Sequence, residues 1–274
     1  MKIGIFDSGL GGLLIAKAIR KMMPEYDYVY LGDTKRVPYG NRSNKAIYEF
    51  TKEAVNYLFK KENCAIIIIA CNTASARALR RIQQEYLSKN FTDRKVLGVL
   101  IPTAEECAKY NRVGILGTAG TVASNTFPNE IKKLQEKCQV FQNSAPMLVP
   151  LIEEGENILA EIFLKKYLAP LLKKNIDVLA LGCTHYPIYK KEIKKILAST
   201  KHNKGGIPKN VKIISQDEII PKKLKEYLMR HTEIAKKLSK NKTAKILVTD
   251  ITQNMLKLSH KWFGASVRPK LVEI

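Results

Sequence analysis

Two cysteines of this chain stand directly after apolar runs, and each is followed by polar side chains. Cys71 follows residues 66–70, which include four consecutive isoleucines, and Cys183 follows the apolar run of residues 178–182. The polar residues that come directly after the two thiols are Asn72, Thr73, Thr184 and His185. A thiol in such a place can act as a nucleophile, a metal ligand, a redox partner or an acid/base group. The second, matching thiol decides between these chemistries.

Inversion of a carbon stereocentre is the chemistry that uses both thiols. A structural zinc site is disfavoured because Cys71, Cys183 and His185 offer three soft ligands without a CxxC pair. Disulfide exchange would also place both cysteines in one CxxC turn. Acyl transfer with His185 as base leaves the second cysteine unexplained. Inversion needs a base on one face of the carbon and an acid on the other, and thiols with a pKa near 8.5 suit both tasks. We find no lysine motif for pyridoxal phosphate, so we expect neither a cofactor nor a metal.

The elements that position these thiols are buried parallel strands. Consecutive β-branched residues at 66–69 indicate a strand covered on both faces, and residues 176–181 repeat the pattern. Ligands bind at the carboxyl ends of such strands, where both cysteines fall. A helix is predicted from Asn72 onward, with Asn72 or Thr73 as its capping residue. A helix N-terminus lowers the pKa of a nearby thiol and favours thiolate.

Three further segments bring polar groups to strand ends or to a neighbouring loop. Residues 2–6 predict a strand that runs into the glycine-rich turn DSGLGG and then a helix, a layout that binds phosphate or carboxylate groups. Residues 28–31 predict a strand that leads to Tyr39, which is either a ligand contact or a packing residue. Residues 146–152 are predicted to form an apolar loop that carries Glu153 and Glu154, two carboxylates that are either surface groups or part of the site.

An internal duplication is indicated by two landmarks at nearly one offset. Arg112 follows Lys2 by 110 positions at the start of similar strand and turn sequences, and Cys183 follows Cys71 by 112. We predict an α/β fold of two pseudo-symmetric, doubly wound, mainly parallel-sheet domains, with the active site in the cleft between them. The first domain comprises residues 1–97 plus a returning segment of 211–274, and the second comprises 98–210. Residues 202–208 are predicted to be a polar linker.

The composition bears on the size of the core, on the location of the protein and on whether it binds nucleic acid. The chain has 274 residues, of which 45% are hydrophobic, and this is enough for one large or two ordinary cores. No apolar run is long enough to span a membrane, so a cytoplasmic protein is expected. The formal net charge of +22 admits a nucleic-acid contact. Because the lysine-rich stretches lack interleaved aromatic residues, we interpret most of this charge as solvated surface and a nucleic-acid contact as secondary only.

With these residues assembled, the chain resembles the glutamate racemases of the cofactor-independent aspartate/glutamate racemase superfamily. The matching segments are short, keep the family's order and spacing, and span nearly the whole chain. They are DSGLGG at residues 7–12, GDT at 32–34, PYG at 38–40, ACNT at 70–73, GTAGT at 117–121 and LGCTHYP at 181–187. The resemblance implies proton transfer at Cα of glutamate, supply of D-glutamate for peptidoglycan, and a homodimer.

The resemblance also implies roles for individual residues. Cys71 would take the proton from D-glutamate with help from Asp7, and Cys183 would take it from L-glutamate with help from His185. The second carboxylate on the Cys183 side would be Glu153, with Glu154 as the alternative register. The substrate-binding residues would be Asp7, Ser8, Pro38, Tyr39, Gly40, Cys71, Asn72, Thr73, Thr118, Thr121, Cys183, Thr184 and His185. Two other functions stay open: an aspartate racemase of the same superfamily, and a basic nucleic-acid-binding protein on a racemase-like scaffold.

Overall fold

The computed structural model describes residues 1–199, 210–264 and 268–274. The linker predicted at residues 202–208 lies outside these ranges. Ten strands lie within the described residues. They are β1 (Lys2–Asp7), β2 (Tyr28–Gly32), β3 (Cys64–Ile69), β4 (Lys95–Gly98), β5 (Arg112–Gly117), β6 (Gln139–Ser144), β7 (Val178–Gly182), β8 (Lys212–Ile214), β9 (Ala244–Val248) and β10 (Lys270–Leu271).

Helices connect most of these strands. The α-helices are α1 (Gly12–Met22), α2 (Asn44–Lys60), α3 (Asn72–Arg77), α4 (Leu79–Arg81), α5 (Ser88–Asn90), α6 (Leu100–Cys107), α7 (Ala119–Ala123), α8 (Thr126–Leu134), α9 (Leu148–Glu154), α10 (Asn157–Leu172), α11 (Lys190–Ser199), α12 (Gln216–Arg230), α13 (Thr232–Ala235) and α14 (Gln253–Phe263). Short 3-10 helices occupy Tyr39–Asn41 and Tyr186–Tyr189, and a π-helix occupies Ile82–Leu87. No helix among the described residues has both the length and the apolar character that a membrane span requires.

The strands form two sheets in which every described pairing is parallel. The first sheet has the order β10-β9-β2-β1-β3-β4, and the second has the order β6-β5-β7-β8. Four strands of the first sheet, β2-β1-β3-β4, therefore repeat as β6-β5-β7-β8 in the second. The repeat places β1 and β5 in equivalent positions, and likewise β3 and β7. This arrangement agrees with the two sequence offsets and confirms the predicted α/β class with two mainly parallel sheets.

Strand β3 leads to Cys71 and is buried along its whole length. All six of its residues are buried, and it pairs with β1 on one side and β4 on the other. Each buried isoleucine contributes about 1.5–3 kcal/mol relative to an exposed one. The run of isoleucines thus fixes the strand, and with it the point at which the chain leaves the sheet toward Cys71.

The chain divides into two compact units, residues 1–99 with 217–274 and residues 100–216. In the first unit, β9 pairs with β2, so the C-terminal segment joins the sheet of the N-terminal segment. The predicted division assigned residues 211–216 to the first domain. Strand β8 instead pairs with β7 of the second sheet, because the apolar residues of this short strand complete that sheet's edge.

Residues 148–154 form helix α9, although a loop was predicted there. The prediction was wrong because the prolines and the unbroken apolar run concealed the helical pattern. Leu148, Leu151 and Ile152 are buried, which gives the helix one apolar face. Gly155 ends α9 with a φ of 77°, a left-handed conformation that favours glycine. The helix thereby delivers Glu153 from its last turn.

Candidate active site

Cys71 is the residue that caps helix α3. Its sulfur accepts a hydrogen bond from the backbone N–H of Ala74 at 3.5 Å, and its carbonyl accepts one from Ser75 at 2.8 Å. The prediction that Asn72 or Thr73 would cap this helix was therefore wrong. The thiol itself occupies the end of the helix where backbone N–H groups carry partial positive charge, and this position favours thiolate.

Asp7 is the last residue of β1, and Ser8 begins the turn that follows it. The Ser8 hydroxyl donates a hydrogen bond to the Cys71 sulfur at 3.3 Å. Asp7 is fully buried, and its Oδ2 accepts a hydrogen bond from the backbone N–H of Gly9 at 3.1 Å. The end of β1 and the glycine-rich turn thus bring a hydroxyl directly to the thiol and hold a buried carboxylate one residue before that hydroxyl. A hydrogen bond to sulfur stabilises the thiolate form.

Tyr39 is a core residue of the first unit, and its hydroxyl is already engaged. The hydroxyl donates to Oδ2 of Asp33 at 2.6 Å, and Arg36 Nε donates to the same oxygen at 2.6 Å. Burial raises the pKa of Tyr39, and the Asp33 carboxylate raises it further. The ring is 2% exposed and packs between Phe6 and Phe50. Of the two alternatives for Tyr39, the structure supports packing for the side chain.

The other predicted substrate-binding residues of the first unit differ in exposure. Pro38 is exposed and Gly40 is half-buried, on either side of the buried Tyr39. Asn72 and Thr73 are each 2% exposed in the first turn of α3, next to Cys71. The structure also ties the segments together, because the backbone N–H of Asp33 donates to the Asp7 carbonyl at 3.0 Å.

Cys183 follows β7 in the second unit and lies beside an imidazole. His185 Nδ1 is 4.0 Å from the Cys183 sulfur and 3.5 Å from the Thr184 hydroxyl oxygen. On its other side, His185 Nε2 is 2.9 Å from Oε1 of Glu153. Glu154 is exposed. Of the two carboxylates that the sequence left open, Glu153 is therefore the one that contacts His185.

The surroundings of His185 favour the protonated form of its imidazole. Burial opposes its charge, but hydrogen bonds to Cys183 and Glu153, together with their negative charge, raise the pKa of His185 to about 10. Near neutral pH both ring nitrogens then carry protons, one directed to the Cys183 sulfur and one to the Glu153 carboxylate. The sulfur of Cys183, the imidazole of His185 and the carboxylate of Glu153 thus form a chain of contacts within one unit.

Thr118 follows β5 at the position that the sequence offset makes equivalent to Ser8, and Thr121 lies in the first turn of α7. Thr118 caps α7, since its hydroxyl accepts from the backbone N–H of Thr121 at 3.3 Å. The two hydroxyl oxygens are 3.0 Å apart, and Thr121 is fully buried. The structure therefore brings both predicted threonines into one hydroxyl pair at this strand end.

Two buried tyrosines next to these groups were not predicted to have a role. Tyr30 donates its hydroxyl to the carbonyl of Gly9 at 2.7 Å. The hydroxyl of Tyr186 lies 2.9 Å from the Ala145 carbonyl oxygen and 3.2 Å from that of Gly117. Tyr186 directly follows His185, and this adjacency is a sequence signal. Tyr30 lies inside an apolar strand, where nothing in the local sequence distinguishes it from a packing residue.

The thiols and the other metal-ligating side chains of the described residues are spread over separate places. Across the described ranges, no group of three or more His, Cys, Asp or Glu side chains is gathered in a way that could hold a metal ion. All five cysteines are buried free thiols. Cys71 and Cys183 are each 6% exposed, and both have hydrogen-bond partners that can stabilise a thiolate. Cys64 and Cys107 are fully buried, and burial raises the pKa of each.

Residues 14–208 match the sequence model of the Asp/Glu/hydantoin racemase family. Glutamate racemase from Sulfurihydrogenibium sp. (strain YO3AOP1) is 36% identical over 279 aligned residues, which cover 100% of this chain and 98% of that protein. The chain belongs to the Asp/Glu/hydantoin racemase family. The predicted resemblance to this superfamily and the predicted enzyme class, an amino-acid racemase, are thereby confirmed.

Two solved structures show the same fold over nearly the whole of this racemase chain. Glutamate racemase isoform RacE1 from Bacillus anthracis has a TM-score of 0.87 at 31% identity and covers 100% of this chain and 97% of its own. Glutamate racemase from Francisella tularensis subsp. tularensis SCHU S4, solved in complex with D-glutamate, has a TM-score of 0.86 at 32% identity and covers 99% and 97%. The candidate site is thus embedded in a racemase fold.

Proposed function

We propose that this chain is a glutamate racemase that interconverts L- and D-glutamate by proton transfer between two cysteines, Cys71 and Cys183. Full-length similarity to proteins named glutamate racemase supports glutamate as the substrate. Similarity to a racemase crystallised with D-glutamate supports it further. The enzyme would supply D-glutamate for peptidoglycan synthesis from the cytoplasm and would need no cofactor.

The observation that carries the proposal is that each thiol has its own partners within its own unit. Cys71 accepts from Ser8 and from the first turn of α3. Cys183 lies beside His185, which in turn contacts Glu153. A nucleophilic enzyme needs one activated thiol, whereas inversion at a carbon needs two acid/base groups of similar strength. Two separately supported thiols fit the second requirement.

The proposed reaction consists of two proton transfers. The Cys71 thiolate removes the α-proton from D-glutamate, and the electron pair of the broken C–H bond moves onto the substrate as a carbanion delocalised into its carboxylate. The Cys183 thiol then delivers its proton to the opposite face of Cα, which yields L-glutamate and leaves a Cys183 thiolate. The reverse reaction begins at Cys183. His185, held by Glu153, stabilises the Cys183 thiolate, and Asp7 assists on the Cys71 side.

The substrate would be held by hydroxyl, amide and backbone groups around the two thiols. Such donors suit the two carboxylates of glutamate, and acceptors suit its ammonium group. The α-proton of an amino acid is only weakly acidic, so fixed hydrogen bonds in a water-poor site are needed to stabilise the developing charge. The proposed binding residues are Asp7, Ser8, Pro38, Tyr39, Gly40, Asn72, Thr73, Thr118, Thr121, Thr184 and His185, of which Tyr39 would act through its backbone.

Exchange of the α-proton in D2O tests the substrate. Purified protein is incubated with each enantiomer of glutamate and of aspartate, and deuterium incorporation is followed by NMR while optical rotation is followed by circular dichroism. We expect exchange and racemisation of both glutamate enantiomers. Inert glutamate with active aspartate would replace the proposal by aspartate racemase. Inactivity with both amino acids, together with DNA binding that weakens steeply with salt, would favour the basic binding protein.

Substitution of the two thiols tests the mechanism. Cys71→Ser and Cys183→Ser are each expected to lower kcat for racemisation by about 10²- to 10⁴-fold, the range typical of a lost acid/base group. Cys107→Ser, which alters a fully buried thiol away from these strand ends, is the matched control and is expected to retain activity. Full activity in either Cys71→Ser or Cys183→Ser would reject the two-base mechanism. The proposed homodimer is checked separately by light scattering of the eluted protein.

A further inference from the structure

Tyr30 is a buried tyrosine of β2 that reaches across to the turn carrying Asp7 and Ser8. It pairs with Ile5 of β1 in the parallel register, and its side chain is 2% exposed. Its hydroxyl donates to the carbonyl of Gly9 at 2.7 Å. Burial raises the pKa of Tyr30 well above its ordinary value, and the negative charges of Asp7 and Cys71 and a side-chain hydrogen bond to Asp7 raise it further. The hydroxyl therefore remains a protonated donor over the whole working range of pH.

The Gly9 peptide is held at both of its polar ends. Its N–H donates to Oδ2 of Asp7 at 3.1 Å, and its carbonyl accepts from Tyr30. The carbonyl also lies directly over β2, because a Cβ atom at position 32 would come within 2.5 Å of it. Because position 32 is a glycine, the Gly9 carbonyl can approach β2 closely, and at that distance it accepts the hydrogen bond from Tyr30. A glycine has wide conformational freedom, so such bonds are what select one conformation of the turn.

The residue between Asp7 and Gly9 is Ser8, whose hydroxyl donates to the Cys71 sulfur at 3.3 Å. A displaced Gly9 would rotate the neighbouring Ser8 backbone and move this hydroxyl away from the thiol. Hydrogen bonds weaken steeply as their distance and angle depart from the optimum. The strength of the Ser8 contact therefore depends on how firmly Gly9 is held.

We propose that Tyr30 is a positioning residue for Cys71, which it controls through Gly9 and Ser8. The proposal deepens the proposed function, since it rests on Cys71 as an acid/base group of the racemase. Tyr30 keeps the Ser8 hydroxyl directed at the sulfur, and this hydroxyl stabilises the thiolate that removes the α-proton.

The test compares Tyr30→Phe with Tyr28→Phe. Tyr28 lies on the same strand, two residues away, and is 4% exposed. Its hydroxyl also donates to a backbone carbonyl, that of Met23, at 2.5 Å. Both substitutions remove one buried hydroxyl and leave one carbonyl without its donor. They should lower Tm by similar amounts, a few °C, so that any difference in chemistry comes from the contacts of the Tyr30 hydroxyl with Asp7 and Gly9.

The first measurement is the rate at which iodoacetamide alkylates Cys71 as a function of pH, followed by mass spectrometry of the peptide that contains Cys71. It uses the free enzyme and needs no racemase activity. In Tyr30→Phe we expect the midpoint of the alkylation profile to rise by about 0.5 to 1 pH unit, the value of one hydrogen bond to the thiolate. In Tyr28→Phe we expect the wild-type profile.

The second measurement is kcat for racemisation of D-glutamate. Tyr30→Phe is expected to lower kcat by about fivefold, and Tyr28→Phe to leave it unchanged. A wild-type alkylation profile in Tyr30→Phe, or equal shifts in both variants, would overturn the role of Tyr30. If the wild-type enzyme fails to racemise glutamate, the proposed function fails, while the alkylation profile still decides whether Tyr30 controls Cys71.

Discussion

Replacement of Glu153 by glutamine tests whether the carboxylate sets the charge of His185. Glu153→Gln keeps the size and the acceptor oxygen of the side chain but removes its negative charge. In the wild-type enzyme the contact of 2.9 Å between His185 Nε2 and Glu153 is one of the two hydrogen bonds that raise the pKa of His185 to about 10. The second bond, to Cys183, remains in the variant.

The size of the effect follows from the exposure of Glu153. A hydrogen bond to a charged group contributes about 1.5–3 kcal/mol. The Glu153 side chain is 35% exposed, so solvent screening reduces its contribution below that range. We take about 1.4 kcal/mol, which corresponds to one pH unit. Glu153→Gln should therefore lower the pKa of His185 by about one pH unit.

The consequence for activity is confined to alkaline pH. At pH 9.5, a drop of one pH unit reduces the protonated fraction of His185 from about three quarters to about one quarter, so kcat should fall about threefold. At pH 7 the imidazole is protonated in both enzymes, and the charge-dependent loss disappears. The protonation state is read directly by NMR of the imidazole nitrogens, and the His185 signals are identified by their absence in His185→Gln.

Glu154→Gln is the matched control, because it removes the same charge from the neighbouring, exposed residue. It is expected to leave both the His185 titration and the ratio of kcat at pH 9.5 to kcat at pH 7 unchanged. The reasoning is refuted if Glu153→Gln titrates like the wild-type enzyme, or if Glu154→Gln produces the same shift.

Two further predictions concern stability. The raised pKa of His185 stabilises the folded protein fully below the ordinary value of 6.5, and this contribution is lost as pH rises through about 10. His185→Gln should therefore flatten the free energy of unfolding between pH 6.5 and 10, measured by urea denaturation, and an unchanged slope would contradict the assignment. Gly155→Ala places a Cβ in open space but on a residue with a φ of 77°, so it should cost about 1 kcal/mol from backbone strain alone. No loss of stability in Gly155→Ala would show that the backbone there relaxes.

The strands and the duplication were predictable because they depend on local composition. A run of β-branched residues such as Ile66 to Ile69 has few alternatives to a buried strand. The offset between β1 and β5 then predicted two similar α/β halves, and the structure adds that four strands repeat in the same order. Burial and periodicity are properties of adjacent residues, so a single sequence carries them.

The details of the site depended on contacts that the sequence does not display. Cysteine is not among the residues that usually cap helices, so the capping role of Cys71 was assigned to its neighbours. The hydroxyl of Tyr39 is engaged by Asp33, a contact that forms only when the segment after β2 folds back on itself. The choice between Glu153 and Glu154 needed the rotation of α9, which was predicted as a loop. Each of these features is fixed by tertiary geometry.

A final prediction concerns the substrate isotope effects, which should respond differently to changes beside Cys71 and beside Cys183. The two enantiomers of an amino acid have equal free energies in water, so kcat/KM must be equal in both directions for the wild-type enzyme and for every variant. A weakened base on one side therefore leaves the ratio of the two kcat/KM values unchanged. It changes which of the two proton transfers limits the rate. The isotope effect on the reaction of glutamate deuterated at Cα reports this change.

Ser8→Ala weakens Cys71, so transfer between Cys71 and Cα becomes more rate-limiting. This transfer breaks the C–H bond of D-glutamate but forms the C–H bond when L-glutamate is the substrate. The substrate isotope effect should therefore rise with D-glutamate and fall with L-glutamate. Glu153→Gln at pH 9.5 weakens the Cys183 side and should give the opposite pattern. If both variants changed the isotope effects in the same direction, Ser8 and Glu153 would not act on different thiols, and the assignment of one thiol to each enantiomer would fail.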